Sequence, residues 1–196
     1  MKLVILDRDG TINHDSADYI KSPAEWEPIA GSLEAIARLN HAGWHVVIVT
    51  NQSGLGRGLF DVATLNAIHD KMHSMLAAVG GRIDAVFYCP HAPDDGCHCR
   101  KPEPGLFEQI AERYGLDLKG LPAVGDSARD LIASVTAGCE PHLVRTGKSA
   151  HLGLVLPDGI PAHTTGHQDL AAFAEYLTAR EASAAPTPAQ RSALIA

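Results

Sequence analysis

Short apolar runs alternate with longer amphipathic stretches along most of this chain, and the runs end abruptly at polar residues. The runs are residues 3–6, 45–49, 85–88, 122–124 and 142–144. Apolar residues at neighbouring positions, rather than at every second one, predict strands buried on both faces. The stretches between them carry a helical period. Leu33, Ile36 and Leu39 follow Ser32, a candidate cap, and stop at Gly43. Leu65, Ile68, Met72, Leu76 and Val79 form one stripe that ends at Gly80-Gly81. Pro104 opens a helix with Phe107, Ile110 and Tyr114 inward, Asp126 or Ser127 caps another, and Leu170, Phe173 and Leu177 mark a last one. Strand and helix in alternation predict an α/β fold of three layers, a doubly wound parallel sheet with right-handed crossovers.

The pattern occupies residues 1–180 of 196, a length suited to one domain. From about Arg180 the composition turns to Ala, Ser and Pro, and residues 181–196 are expected to be a disordered tail. Lys+Arg 16 against Asp+Glu 23 give a net charge of −7, which argues against a nucleic-acid partner, whose phosphates require a basic face. No apolar run approaches the roughly 18 residues of a membrane span. The N-terminal run stops at Asp7, too early for a signal peptide. A cytoplasmic monomer without membrane partners is expected.

In such a sheet, ligands sit beyond the carboxyl ends of the strands. After the first run comes Asp7-Arg8-Asp9-Gly10-Thr11, and after the second Thr50-Asn51-Gln52-Ser53-Gly54. A Cys/His loop leads from the third to Arg100-Lys101-Pro102, and the fourth is followed by Gly125-Asp126-Ser127-Ala128-Arg129-Asp130. Each piece alone reads as a turn or a helix cap. Together they bring several carboxylates to one rim, where they repel unless a cation neutralises them. Mg²⁺ suits one or two carboxylates with phosphate and water. Arg100 and Lys101 call for a ligand that brings anionic oxygens.

The ordered set Asp7-x-Asp9-Gly10-Thr11, Thr50, Lys101 and Gly125-Asp126-x-x-x-Asp130 resembles the four motifs of the haloacid dehalogenase superfamily of phosphatases. The resemblance spans roughly residues 2–147 and implies a Rossmann-like core. Between the second and third motifs there is no room for a separate cap domain. The stretch Thr50-Asn51-Gln52-Ser53-Gly54-Leu55-Gly56-Arg57-Gly58, with Cys89-Pro90-His91 and Cys97-His98-Cys99-Arg100-Lys101-Pro102, resembles the heptose-1,7-bisphosphate 7-phosphatases. Histidinol-phosphate phosphatases are close relatives with a similar loop. Polynucleotide end phosphatases share Thr-Asn-Gln, against which the net charge counts. A zinc-stabilised interaction module without catalysis is the alternative of a different class, and the intact acidic motifs speak against it.

The resemblance implies roles. Asp7 would be the nucleophile that forms an aspartyl-phosphate, and Asp9 would protonate the leaving oxygen and then activate water. Mg²⁺ would bind Asp7, the Asp9 backbone carbonyl and Asp126. Thr50 and Lys101 would hold the transferring oxygens. Asp130 would orient Lys101 or a metal-bound water. The sugar phosphate would meet loops carrying Asp15, Asp18 and Tyr19, then Asn51, Gln52, Ser53 and Arg57, and Arg100. Some relatives carry Lys directly after the fourth-motif Gly-Asp, near the second phosphate. Here the residue is Ser127, with Arg57 and Lys148 as candidate substitutes.

Three of the four cysteines, Cys89, Cys97 and Cys99, cluster around His91 and His98. In a reducing compartment such clustering points to a metal rather than disulfides. Cys89, His91, Cys97 and Cys99 make a closed tetrahedral Cys₃His set for a structural zinc. His98 lies between two ligands and should point away. Cys139 reads as a buried thiol. His69 and His73 have the i, i+4 spacing of a helical zinc site, but Asp70 stands where a catalytic Glu would, so they read as a solvated helix flank. Trp26 and Trp44 read as packing residues.

Overall fold

The computed structural model describes residues 1–153, 156 and 159–184. Its strands are β1 (Leu3–Leu6), β2 (His45–Asn51), β3 (Ala85–Cys89), β4 (Pro122–Gly125), β5 (Glu140–Val144) and β6 (Thr165–His167). They form one all-parallel sheet in the order β3-β2-β1-β4-β5-β6. The helices are α1 (Ser32–His41), α2 (Ser53–Gly56), α3 (Val62–Ala78), α4 (Gly105–Tyr114), α5 (Ala128–Thr136) and α6 (Leu170–Ala184).

Alternation of side chains along β1 explains its unbroken apolar run. Val4 and Leu6 pack with Ile36 of α1, Ile68 and Met72 of α3 and Phe173 of α6. Leu3 and Ile5 face the other way, onto Leu106 and Ile110 of α4 and Ala133 of α5. A side chain buried this completely contributes about 1.5–3 kcal/mol, so each face requires its own apolar set. Among the described residues no helix is long and apolar enough to cross a membrane.

Three expectations are corrected. A sixth strand, β6, pairs with β5; its sequence, Thr165-Gly166-His167, has no apolar run to announce it. Ser32 does not cap α1. Gly31, at φ 81, holds that position, and the Ser32 hydroxyl donates to the Ile12 carbonyl at 2.6 Å. The last helix also runs past residue 180, the expected boundary, since α6 ends at Ala184. Glu181 accepts there from Lys2 Nζ at 2.9 Å and from Trp44 Nε1 at 3.0 Å. The rest of the expected tail, residues 185–196, lies outside the described residues.

Sequence reading also passed over a buried histidine pair at the β5–β6 seam. His142 Nδ1 and His167 Nε2 are 3.0 Å apart, and both rings pack edgewise on Phe173. Burial and the neighbouring His167 hold His142 down to about 3, and burial with Arg145 holds His167 at about 4. The unfolded chain, whose histidines titrate near 6.5, therefore binds more protons than the folded one below that pH. Stability should fall as pH drops from about 6.5 towards 4. Melting temperatures across that range should decline less steeply in a His142→Phe variant.

The sheet order reverses between β1 and β4. Such a switch point opens a crevice outside the strand ends. Asp7 follows β1, Asp126 follows β4, and the Asp7 amide donates to the Val124 carbonyl at 2.8 Å, locking the two strand ends together.

Candidate active site

A cavity of about 260 Å³ opens at that crevice. Its floor is formed by Asp7, Asp9, Thr50, Lys101, Asp126 and Asp130, which arrive from four separate strand ends. Asp7, Thr50, Lys101, Asp126 and Asp130 are all buried.

Lys101 organises the floor. Its Nζ lies 2.8 Å from Asp7 Oδ1 and 2.6 Å from Asp130 Oδ1, and it donates to the Val49 carbonyl at 2.8 Å. Burial opposes the charge of Lys101, but Asp130 and Asp7 outweigh it and keep the ammonium protonated. Three acids share this one cation. Asp130 takes the larger part, with a further bond from the Ser127 hydroxyl, and its pKa stays below the ordinary range. Asp7 is left raised by burial and by the charge of Asp130, and Lys101 offsets only part of this. Asp126 is pushed up to about 7, first by burial and then by Asp130.

These raised carboxylates suit a divalent cation. Oxygens of Asp7, Asp126 and Asp130 lie within 4.8 Å of one another. Asp130 is engaged by Lys101 and Ser127, so Asp7 and Asp126 are the pair with charge to share. The Asp126 carboxylate is wedged between two glycines. A Cβ at Gly10 (φ 86) or Gly147 (φ 50) would come within 2.2 Å of its Oδ2. The Lys148 amide donates to the same oxygen at 2.6 Å. The site therefore accommodates two carboxylates and a small, hard ion.

Asp9 is held differently. Its Oδ1 accepts from Arg8 Nε at 3.0 Å and from Asn13 Nδ2 at 2.9 Å. Its Oδ2 accepts from Arg8 Nη2 and Gln52 Nε2, both at 2.9 Å. Burial alone would raise its pKa, but the Arg8 charge and these hydrogen bonds prevail and hold it low.

The expected substrate residues divide into two groups. Asp15, Tyr19, Ser53 and Arg100 line the cavity, and Lys148 does so while ion-paired to Asp15. Asn51 and Gln52 also line it, but their amides are occupied. Asn51 makes reciprocal 3.1 Å bonds with the Lys101 backbone, and Gln52 bridges Asp9 and Thr50. Asp18 and Arg57 do not line the cavity. Asp18 is exposed, and the Arg57 guanidinium stacks 5.9 Å over the Tyr19 ring. Sequence reading missed Arg129 as a lining residue. Its signal was a cation on the first turn of α5, facing the rim that Asp126 occupies. The segment that carries Asp15 and Tyr19 is pinned from below by Lys71, whose Nζ donates to the Pro23 and Trp26 carbonyls at 2.7 Å each. Trp26 is core, as expected.

The Cys/His loop closes on itself beside β3. Cys89 Sγ lies 3.6 Å from Cys97 Sγ and from His91 Nδ1, Cys97 and Cys99 are 3.6 Å apart, and His91 Nδ1 is 3.2 Å from Cys99 Sγ. Tetrahedral zinc, with Zn–S near 2.3 Å and Zn–N near 2.0–2.1 Å, sets such atoms about 3.5–3.8 Å apart. His98 turns outward to Glu108 at 2.9 Å. Cys97 and Cys99 pack on the α4-side core, so the loop is fastened to the sheet immediately before Arg100 and Lys101.

The switch-point crevice, the buried Asp7–Lys101–Asp130 triad and the Asp126 carboxylate define a haloacid-dehalogenase-like phosphatase. The HAD-hydrolase-like family matches residues 98–167. The chain is 60% identical to D-glycero-beta-D-manno-heptose-1,7-bisphosphate 7-phosphatase of Bordetella bronchiseptica over 177 residues, 90% of this chain and 98% of that one. It is 53% identical to the Pseudomonas aeruginosa enzyme of the same name, over 89% of this chain and 97% of that one. The crystal structure of the B. bronchiseptica D,D-heptose 1,7-bisphosphate phosphatase, complexed with magnesium and phosphate, superposes with a TM-score of 0.86 at 59% identity, covering 92% of this chain and 99% of that one. The chain belongs to the heptose-1,7-bisphosphate 7-phosphatase family of phosphoric monoester hydrolases.

Proposed function

We propose that this protein removes the 7-phosphate of D-glycero-D-manno-heptose 1,7-bisphosphate by way of an aspartyl-phosphate, in a Mg²⁺-dependent reaction that supplies nucleotide-activated heptose synthesis. The observation that carries the reading is the meeting of Asp7, Lys101 and Asp126 in one crevice, in a chain similar over nearly its whole length to enzymes of that name.

Asp7 attacks phosphorus while the bond to the substrate's O7 breaks, and the departing oxygen takes a proton from Asp9. A water then attacks the phosphorus of the aspartyl-phosphate and gives its proton to Asp9. Inorganic phosphate leaves and the Asp7 carboxylate is restored. Asp9 rests ionised in its clamp, ready to accept the water proton. An anionic phosphoryl group brought beside it favours its protonated form, as the first step requires. Lys101 and the Thr50 hydroxyl hold the transferring oxygens. Bound Mg²⁺, held by Asp7, Asp126 and the Asp9 carbonyl, neutralises the carboxylates and the phosphoryl oxygens. Cys89, His91, Cys97 and Cys99 would hold a structural zinc, which would fix the loop that leads into Arg100 and Lys101.

Brief EDTA treatment should abolish turnover and added Mg²⁺ should restore it, with about one zinc retained per chain. Phosphate release should be measured with heptose bisphosphate, histidinol phosphate and a 3′-phosphorylated oligonucleotide. Preference for either of the last two would overturn the substrate assignment.

Arg100 and Arg129 are the candidates for the second phosphate. They line the same cavity, and Arg100 Nη1 is buried with no partner among the described residues. Arg129 then supplies the charge that Ser127 does not. A charged hydrogen bond contributes about 1.5–3 kcal/mol. Arg100→Ala and Arg129→Ala should each raise KM for the bisphosphate roughly 10- to 100-fold, with little change in kcat. Unchanged KM in both variants would remove these residues from the subsite.

A further inference from the structure

We propose that His69, on α3 and outside the cavity, is a positioning residue for the reaction, acting on Asp9 through Arg8. The inference rests on the reading of Asp9 as the proton-transfer group and deepens it.

Arg8 is among the largest completely buried side chains, 1% exposed. Its Nε and Nη2 grip the Asp9 carboxylate, and its Nη1 meets His69 Nε2 at 3.2 Å. Arg has donors and no acceptor, so His69 Nε2 must accept in this contact and the ring must be neutral. A guanidinium buried this deeply leaves its remaining donors unsatisfied unless something takes them, and an unmet buried donor is costly. His69 meets that requirement with an uncharged acceptor.

The lack of charge matters for Asp9. An acid at position 69 would share the guanidinium between two carboxylates and draw it away from the reacting one. A hydrocarbon would free Nη1 to seek another partner. With His69 in place the flat guanidinium is fixed at both ends, and its other edge sets the plane and position of the Asp9 carboxylate. Expected geometry for proton transfer tolerates little drift, since misplacement near 1 Å costs on the order of 100-fold. Asn13 and Gln52 also hold Asp9, so losing His69 should loosen the carboxylate rather than release it.

This finding also corrects the sequence reading of the i, i+4 pair. His73 is exposed as expected, but His69 is buried at 9% exposure. No metal explains it, because its only side-chain partner among the described residues is Arg8.

Three variants test the inference, with kcat, KM for heptose bisphosphate and melting temperature measured on each. A Gln amide reproduces the position of Nε2, whereas the shorter Asn amide corresponds to Nδ1 and does not reach. His69→Leu and His69→Asn should lower kcat about tenfold, with KM within about twofold. His69→Gln should recover to within about threefold of wild type. Wild-type kcat in His69→Asn, or equal loss in the Gln and Asn variants, would overturn the role. If His69→Leu does not fold, the Gln-against-Asn comparison decides alone. Asp9→Asn serves as the control. If it keeps full activity, the assignment of Asp9 has failed; if it is inactive while His69→Asn is not, only the role of His69 has failed.

Discussion

Asp7→Asn should lower phosphate release by at least about 10³-fold. The amide keeps the shape of the side chain but cannot attack phosphorus, and it contributes no charge to a cation. Stability should move the other way. In the folded chain burial and the charge of Asp130 raise the pKa of Asp7, so its ionised form costs folding free energy at neutral pH. The amide removes that repulsion and can still accept from Lys101. The Mg²⁺-free variant should therefore melt no lower than wild type. Near-normal turnover would take Asp7 out of the nucleophile's role, and a large drop in melting temperature would mean that the Lys101 pair stabilises the fold more than the acid cluster strains it.

The second large effect is expected at the Cys/His loop, for which a structural zinc is proposed. Cys97→Ser leaves three ligands for a metal whose binding in small zinc modules contributes about 10–16 kcal/mol. The variant should be isolated without zinc and melt well below wild type. It should also lose turnover, because Asn51 ties the Lys101 backbone to β2 from one side only and the loop fixes the other. Cys97 is three residues from Arg100, so direct disturbance of the cations is small. A zinc-free Cys97→Ser protein with wild-type kcat and KM would separate the loop from the active site.

Much of the site was legible because chemistry confines the residue types. Carboxylates after β1 and β4, with a lysine before α4, have few stable uses at one rim. The Cys₃His spacing has fewer still. The exclusion of His98 needed only the alternation of an extended segment, and its side chain does turn outward. Roles that depend on the partner of a side chain were not legible. Asn51 and Gln52 read as substrate residues because they follow a strand end beside the motif, yet their amides reach back to Lys101, Asp9 and Thr50. Arg57 stands in the loop expected to hold substrate, and its guanidinium stacks on the ring of Tyr19, which lines the cavity.

The linear pattern of apolar runs and punctuating glycines settles that this chain forms a parallel α/β sheet, and the order of its acidic motifs gathers their carboxylates with Lys101 at one cavity. Both follow from local rules: which faces of a strand or helix are apolar, and what stands at a strand's carboxyl end. Packing decided the rest. The edge strand β6 exists because β5 offers it a hydrogen-bonding edge, not because Thr165-Gly166-His167 prefers to be extended. The contact from His69 to Arg8 joins residues 61 positions apart, and whether a helix-flank histidine faces water or a buried guanidinium depends on the docking of α3 against β1. Long-range contacts of this kind depend on the whole fold, so no window of sequence contains them.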